Sequence, residues 1–367
     1  MLVRIDRLRN RYADIQRRTE IDNQVNQMLR NDIIEPAASP WASNIVLVVK
    51  KPEIDSAGRQ KQTIRFCNDY RRLNTLTYKV KDSFPLPRID SCLDALAGSK
   101  IYCTLDMKCS FWQTPIHPDD RDKTAFLTRR GQWRYKVLPY GLVNAPSLFQ
   151  RLMNLVLMGL TWRTCLCYVD DIILMARSFE QMVERLEEVL GRMRGANLKL
   201  KPTKCRLFQE KVSFLGHVIS KDGIEADPDK VKAVQQWPVP RNVTEVRAFV
   251  ALAAYYRKFQ KNFSTIAAPL YELTRKGEKF VWNEHRQQAF DELKEMLTTA
   301  PVLSLPTDDG AFLVDVDSSS WATGGVLQQY QEGELKVIAY SSRTLSKAER
   351  SYCTTRLETL AIVHALK

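Results

Sequence analysis

Hydrophobic positions along the chain recur with two different periods, and the changes between them mark the predicted elements. Ile21, Val25 and Met28 recur at helical spacing, which predicts a helix near the start of the chain. The β-branched run at residues 45–49 predicts a strand, and residues 63–67 can return as its partner across a polar, basic tip. Helical and strand patterns continue to the last residues, so we expect an α+β protein.

The most unusual pattern places two carboxylates between apolar runs. Two runs of strand length flank Asp170 and Asp171, which predicts a hairpin with an acidic turn. Two adjacent carboxylates in apolar surroundings repel each other and lose hydration, at a cost of roughly several kcal/mol each. A cation or hydrogen-bond donors must offset this cost. For an isolated Asp-Asp pair an ordinary polar turn is the simpler interpretation, but Tyr168, two places earlier, and the basic chain favour a functional one. A separate strand ends in Asp106 and could bring a third carboxylate to the same sheet.

Changes of pattern divide the chain into three parts. Turn residues near Asp222 end a first region, residues 1–220, in which strands and helices mix. Residues 221–305 are mainly helical, and residues 306–367 return to strands followed by one helix. We therefore predict three domains with these limits.

The composition indicates which class of partner and which cellular compartment to expect. The 367 residues include 55 Lys and Arg against 42 Asp and Glu, a net charge of +13, which indicates a polyanionic partner. The excess is spread along the chain, so a merely soluble basic protein is the alternative. The eight cysteines contain no C-x-x-C pair, and no apolar run approaches the ~18 residues of a membrane span. We expect an intracellular protein, cytoplasmic or nuclear, with no membrane partner.

Four segments carry a resemblance to a known family. Tyr168 to Asp171 resembles the Y-x-D-D turn of reverse transcriptases, and residues 105–113 resemble the L-D-x-x-x-G-[FY]-W-Q segment, with Ser110 where glycine is usual. Residues 140–150 and the arginine-rich stretch that begins at residue 65 resemble two further motifs, in the family's order. The chain resembles the reverse transcriptase and ribonuclease H region of gypsy-type (Metaviridae) retrotransposon Pol polyproteins.

The resemblance implies a fold and roles for particular residues. The expected fold is a right-hand polymerase: fingers and palm in residues 1–220, a thumb or connection in residues 221–305, then a ribonuclease H-like domain. The implied catalytic and metal-binding residues are Asp106, Asp170 and Asp171, with two Mg²⁺ ions, or Mn²⁺ in their place. The implied nucleotide-binding residues are Arg65 on the triphosphate, Phe111 against a ribose 2′-hydroxyl, Tyr140 beneath the nucleotide, and Lys204 near the pyrophosphate. The implied partners are an RNA or DNA template with its primer, and deoxynucleoside triphosphates.

The last region carries the second resemblance. Residues 306–367 resemble the start of a tethered ribonuclease H domain, with Asp317 at the first catalytic aspartate and Glu358 at the helix glutamate. The printed chain ends at Lys367, within that helix. We therefore expect a truncated ribonuclease H-like domain without nuclease activity.

Two other functions stay open on the sequence alone. A non-enzymatic nucleic-acid-binding copy of a retroelement polymerase would keep the fold and the charge without turnover, and Ser110 favours it, whereas the complete set of aspartates opposes it. A DNA-templated polymerase would share the metals, and template preference would separate it from a reverse transcriptase.

Overall fold

The structure is a computed structural model that describes residues 18–49, 53–54, 60–61, 64–77 and 82–366. Helices and strands alternate through these residues, which confirms the predicted mixture of both. The α-helices are α1 (18–30), α2 (Arg71–Thr77), α3 (Ile89–Asp94), α4 (Pro118–Arg121), α5 (Ala145–Val156), α6 (Phe179–Gly195), α7 (Pro228–Gln235), α8 (Val243–Tyr255), α9 (Phe263–Leu273), α10 (Glu284–Thr298) and α11 (Thr354–Ala365).

Most of the strands are short, and the pairings whose register is defined are antiparallel. They are β1 (Ile34–Pro36), β2 (Ile45–Val49), β3 (Glu53–Ile54), β4 (Gln60–Lys61), β5 (Ile64–Asn68), β6 (Ile101–Asp106), β7 (Phe126–Thr128), β8 (Gly131–Tyr135), β9 (Cys165–Tyr168), β10 (Asp171–Ala176), β11 (Arg206–Gln209), β12 (Lys211–Phe214), β13 (His217–Ser220), β14 (Gly223–Ala226), β15 (Phe312–Ser318), β16 (Ala322–Gln331) and β17 (Glu334–Thr344). The sheets have the orders β1-β8-β7, β11-β6-β10-β9, β12-β13-β14 and β15-β16-β17, with the pairs β2-β5 and β3-β4.

The chain forms two compact units. Of the described residues, the first contains those up to residue 86, with 105–172 and 187–205, and the second contains 87–104, 173–186 and those from residue 206 onward. Strands β6 and β10 belong to both, because each unit includes one end of them.

In the first unit, the predicted amphipathic helix lies where the sequence places it. Val25 and Met28 of α1 are buried with Ile34, Phe126 and Tyr135. The predicted pairing of the 45–49 strand is also confirmed, because β2 runs antiparallel to β5, with Ile45 opposite Asn68. Burial of such apolar side chains contributes roughly 1.5–3 kcal/mol each, so the spacing of hydrophobic positions determines which face of α1 turns inward.

The second unit combines helices with two antiparallel sheets. Helices α8, α9 and α10 pack on one another around the buried rings of Phe249, Phe263 and Phe290. The three-stranded sheet β15-β16-β17 contacts α11 through β15 and β16, and α9 through β17. None of the helices in the described ranges is long and apolar enough to cross a membrane.

A buried histidine joins the β12–β14 sheet to the helices of this unit. His217 is 2% exposed, its Nδ1–H donates to the carbonyl of Leu215 at 2.9 Å, and the rings of Tyr255, Tyr256 and Phe259 surround it. Burial lowers the pKa of the His217 imidazole to about 4, and the nearby Lys258 ammonium adds to the effect. The folded protein therefore holds this imidazole neutral.

The lowered pKa predicts a loss of stability in mild acid. Between pH 6.5 and pH 4 the unfolded chain protonates His217 and the folded chain does not, so the free energy of unfolding should fall by about 3 kcal/mol over that range. Urea unfolding of the wild type, His217→Gln and His117→Gln measures the effect; His117 is an exposed histidine. We expect a shallower acid dependence in His217→Gln only. If the free energy of unfolding depends equally on pH in all three proteins, His217 is not the group that causes the loss of stability in acid.

Candidate active site

The acidic turn is the centre of the candidate site, which lies within the first unit. Strand β9 ends at Tyr168 and β10 begins at Asp171, so the predicted hairpin is present and Asp170 lies in its turn. Asp106 is the last residue of β6, the strand next to β10 in the sheet. Pairing of β6 with β10 brings the three predicted carboxylates to one place, although Asp106 is far from the other two in sequence.

Each carboxylate has a different environment. The Lys204 ammonium donates to Asp106 Oδ2 at 3.0 Å, and the Lys201 amide donates to the Asp106 backbone carbonyl at 2.8 Å. Ser110 Oγ donates a long hydrogen bond, 3.4 Å, to Asp170 Oδ2. The pKa of the Asp171 carboxyl lies above its ordinary value because the surrounding protein displaces water from it, and then because Asp170 and Asp106 are negative. The three carboxylates therefore repel one another, and the Lys204 ammonium at Asp106 offsets part of this repulsion.

The oxygen atoms of these side chains suit a divalent metal. Carboxylate oxygens are the donors that Mg²⁺ prefers, and the repulsion that raises the pKa of Asp171 is what a bound cation would relieve. In the part of the chain that the structure describes, no three His, Cys, Asp or Glu side chains form a ready-made metal site. Lys204 holds Asp106 in this state. The donor set therefore fits the metal chemically, and the Lys204 ammonium occupies one of the two carboxylate oxygens of Asp106.

Aromatic rings form a wall beside the carboxylates. The centroid of the Phe111 ring lies 5.1 Å from that of Tyr140 and 5.7 Å from that of Phe149. The ring centroids of Trp112 and Tyr140 are 6.1 Å apart. Phe149 is fully buried, whereas Tyr140 keeps 37% of its surface exposed. The two predicted nucleotide-binding aromatics, Phe111 and Tyr140, are thus in contact with each other.

A glycine turn positions Tyr140. Gly141 has φ +99°, a conformation that side-chain-bearing residues rarely adopt, and its carbonyl accepts a hydrogen bond of 2.8 Å from Asn74 Nδ2. Asn74 Oδ1 also accepts the Val143 amide hydrogen at 2.9 Å. One asparagine side chain therefore holds both sides of the turn that follows Tyr140.

Sequence reasoning missed the support of the aromatic wall. Phe149 and Trp112 were not predicted as site residues, because apolar side chains in a helix or beside a strand end are usual core positions. The signal that could have found them is that both lie within the motifs that carry the family resemblance.

The predicted phosphate contact is only partly described. Arg65 lies in β5, opposite Val48 of β2, but its side chain is outside the described part of the structure, as is residue 59 of the basic tip. The role of Arg65 therefore stays a prediction.

The two predicted ribonuclease H acids lie in the second unit. Asp317 is on β15, opposite Gly324 of β16, and Glu358 is on α11, the helix that packs on β15. Both residues are exposed. The elements that carry them are in contact, but their catalytic roles stay predictions.

Comparisons with known proteins give the order of domains that the sequence predicts, a reverse transcriptase followed by an RNase H-like domain. The family model described as reverse transcriptase (RNA-dependent DNA polymerase) matches residues 49–219. A second model, the RNase H-like domain found in reverse transcriptase, matches residues 282–367.

Curated relatives include retrovirus-related Pol polyproteins of Drosophila melanogaster transposons. The chain is 35% identical over 360 residues to that of transposon opus, covering 95% of the chain and 35% of the relative. It is 37% identical over 359 residues to that of transposon gypsy, covering 94% and 34%. The chain thus spans about a third of the length of these relatives.

Solved structures similar to the chain include complexes of the foamy viral protease-reverse transcriptase. The dRH form with double-stranded DNA has a TM-score of 0.79 at 25% identity, covering 95% of this chain and 59% of that one. The form with an RNA/DNA hybrid has a TM-score of 0.78 at 24% identity, covering 96% and 46%. These similarities confirm the predicted fold, a reverse transcriptase followed by an RNase H-like domain. The chain therefore belongs to the reverse transcriptase and RNase H-like region of the Pol polyproteins of long-terminal-repeat retrotransposons.

Proposed function

We propose that this chain is an RNA-directed DNA polymerase that extends a primer with deoxynucleotides by two-metal phosphoryl transfer. The observation that carries the proposal is the meeting of Asp106, Asp170 and Asp171 on adjacent strands, beside the Phe111–Tyr140 wall. The proposed cofactors are two Mg²⁺ ions, for which Mn²⁺ can substitute. When bound, they supply positive charge that stabilises the attacking 3′-oxygen and the departing pyrophosphate.

The residues of the chain would divide the remaining work. Asp106 and Asp170 would hold the metals, with Asp171 beside them. The Lys204 ammonium, which neutralises Asp106 in this state, would be released towards the incoming triphosphate and could donate a proton to the pyrophosphate. Arg65 would bind the triphosphate through its planar guanidinium group.

The aromatic wall would select the nucleotide. Tyr140 would pack beneath the base and sugar, and Phe111 would fill the space that a ribose 2′-hydroxyl needs. The buried ring of Phe149 supports this role, because it leaves Phe111 little room to retreat.

The proposed partners are an RNA or DNA template with its primer, and deoxynucleoside triphosphates. The net charge of +13 supports a nucleic-acid partner. We also propose the domain limits given by the sequence: fingers and palm in residues 1–220, thumb or connection in residues 221–305, and the RNase H-like part in residues 306–367.

Primer extension on an RNA template tests the proposal directly. The purified chain, a labelled DNA primer and the four deoxynucleotides should give extended products with Mg²⁺ or Mn²⁺, and none with EDTA. If the chain binds primer–template but does not extend it with either metal, the proposed polymerase activity is refuted. The remaining candidate is then a non-enzymatic nucleic-acid-binding protein. The Lys204–Asp106 ion pair and Ser110, at a position where glycine is usual, are the features that favour this second candidate.

For the RNase H-like region, we propose that this chain lacks nuclease activity. Two-metal hydrolysis needs a cluster of carboxylates, and the resemblance assigns only Asp317 and Glu358 of this sequence to that cluster. We expect no cleavage of the RNA strand when the chain is incubated with a labelled RNA–DNA hybrid and Mg²⁺. Cleavage that persists in Asp170→Asn and disappears in Asp317→Asn would show a working nuclease and overturn this proposal.

A further inference from the structure

The turn that carries Asp170 has a backbone conformation that its own sequence disfavours. Val169 has φ +55°, in the left-handed region. A branched Cβ crowds the backbone there, so valine adopts this conformation rarely and only where neighbouring groups hold it. Because Val169 immediately precedes Asp170, its backbone angles set the direction in which the two aspartates leave the turn.

One buried side chain supplies the missing support. Gln150 of α5 is 1% exposed. Its Oε1 accepts the Val169 amide hydrogen at 2.7 Å, and its Nε2 donates to the carbonyl of Cys167 at 3.1 Å and to Asn154 Oδ1 at 2.9 Å. Both polar atoms of the amide are thus paired, two of the three bonds going to backbone on either side of Tyr168. Hydrogen bonds shielded from water in this way are difficult to replace by solvent.

We propose that Gln150 is a positioning residue that holds Val169 in its left-handed conformation and thereby directs Asp170 and Asp171 into the site. Its hydrogen bonds go to the backbone of Val169 and Cys167 and to the Asn154 side chain, so it would act on the aspartates through the backbone of the turn. The inference deepens the proposed polymerase function and rests on it.

The same helix also supports the aromatic wall. Phe149, next to Gln150 in α5, contacts the ring of Phe111. Two consecutive residues of one helix therefore hold the two halves of the site, the aspartate turn and the nucleotide wall. Loss of Gln150 should change the turn and leave the wall in place, because Phe149 packs independently of the amide.

A matched pair of substitutions tests the role. Gln150→Met keeps the length of the side chain and removes its hydrogen bonds. The control is Gln329→Met in the second unit: Gln329 is also fully buried, accepts the Thr307 amide hydrogen at 2.9 Å and donates to the Thr307 carbonyl at 2.8 Å. Gln329 also donates to the carbonyls of Asp309 and Gly310, so the control removes at least as many buried hydrogen bonds. Only the Gln150 bonds touch the aspartate turn.

Single-turnover primer extension separates positioning from loss of folded protein. In Gln150→Met we expect the rate constant per active site to fall about 100-fold, as for a small misplacement of catalytic groups. The nucleotide KM and the reaction amplitude should change little. Gln329→Met should keep the wild-type rate constant. A lower amplitude at an unchanged rate constant would show that Gln150 only stabilises the fold, and would overturn the inference.

Glycine at position 169 tests the backbone explanation. Glycine adopts the left-handed region freely, so the loss caused by Gln150→Met should be at least about tenfold smaller in a Val169→Gly background. An equal loss in both backgrounds would refute the role of Val169. If Gln150→Met does not fold, the double variant decides: a folded, active double variant supports the inference, and an unfolded one assigns Gln150 to packing alone.

A binding measurement keeps the inference separate from the proposed activity. Mn²⁺ binding to the free protein, followed by electron paramagnetic resonance, should weaken in Gln150→Met and not in Gln329→Met. If the wild type extends no primer, the proposed function fails, and the Mn²⁺ measurement still tests Gln150. Equal Mn²⁺ affinity in wild type and both variants would overturn the positioning role.

Discussion

Asp170→Asn should abolish primer extension, with a loss of at least about 1,000-fold in rate. The substitution keeps the size of the side chain and its ability to accept the Ser110 hydroxyl hydrogen, and removes only the negative charge. Charge is what the proposed metals require, because an amide oxygen is a much weaker ligand for a divalent cation than a carboxylate. The fold should not change, since Asp170 is an exposed turn residue and the asparagine can keep its long hydrogen bond with the buried Ser110.

Two controls show whether the loss comes from the missing charge. Primer–template affinity, from fluorescence anisotropy, should stay at the wild-type value, because the bound duplex is expected to contact the wider basic surface. Asp119→Asn provides a charge-matched control, since the Asp119 side chain is 88% exposed in α4, outside the site. Extension by Asp170→Asn at the rate of Asp119→Asn would remove Asp170 from the catalytic set.

Phe111→Ala should raise the incorporation of ribonucleotides relative to deoxyribonucleotides by about 10- to 100-fold. The ring contacts those of Tyr140 and Phe149, and the fully buried Phe149 limits the room for Phe111 to move on that side. Removing the ring opens the space that a 2′-hydroxyl would occupy. The deoxynucleotide rate should fall less than the ribonucleotide rate rises.

Competition between paired ribo- and deoxyribonucleotides on one template measures this ratio. Phe179→Ala is the matched aromatic control, because Phe179 is exposed and its ring contacts only that of Phe208 among the aromatic pairs described. An unchanged ratio in Phe111→Ala would show that Phe111 is a core aromatic without a part in sugar selection.

The ion pair between Lys204 and Asp106 gives the site a state of its own before any metal binds. An ammonium at 3.0 Å offsets part of the repulsion among the three acids, as a metal would. Under the proposed function, metal binding would weaken this ion pair, and Lys204 would then be available for the triphosphate.

The local pattern of the sequence was sufficient to predict these secondary-structure elements and the hairpin that carries the aspartate pair. Helix α1 buries the residues whose spacing predicted it, and β2 pairs with β5 across the predicted basic tip. The hairpin around Asp170 could also be predicted, because two apolar runs and an acidic turn leave few alternatives. These features depend on neighbours a few residues apart, and a linear pattern records such neighbours directly.

Contacts between distant segments were decided only by the tertiary structure. The partnership of Lys204 with Asp106, the packing of Phe149 on Phe111 and the clamp of Gln150 on Val169 each join separate elements. In sequence, Gln150 is a polar residue in a helix and Val169 is a β-branched residue beside a strand, which gives no sign of a left-handed turn. The reason is physical: the backbone angle of Val169 is imposed by an amide that α5 delivers from outside the hairpin, and only the folded chain brings the two together.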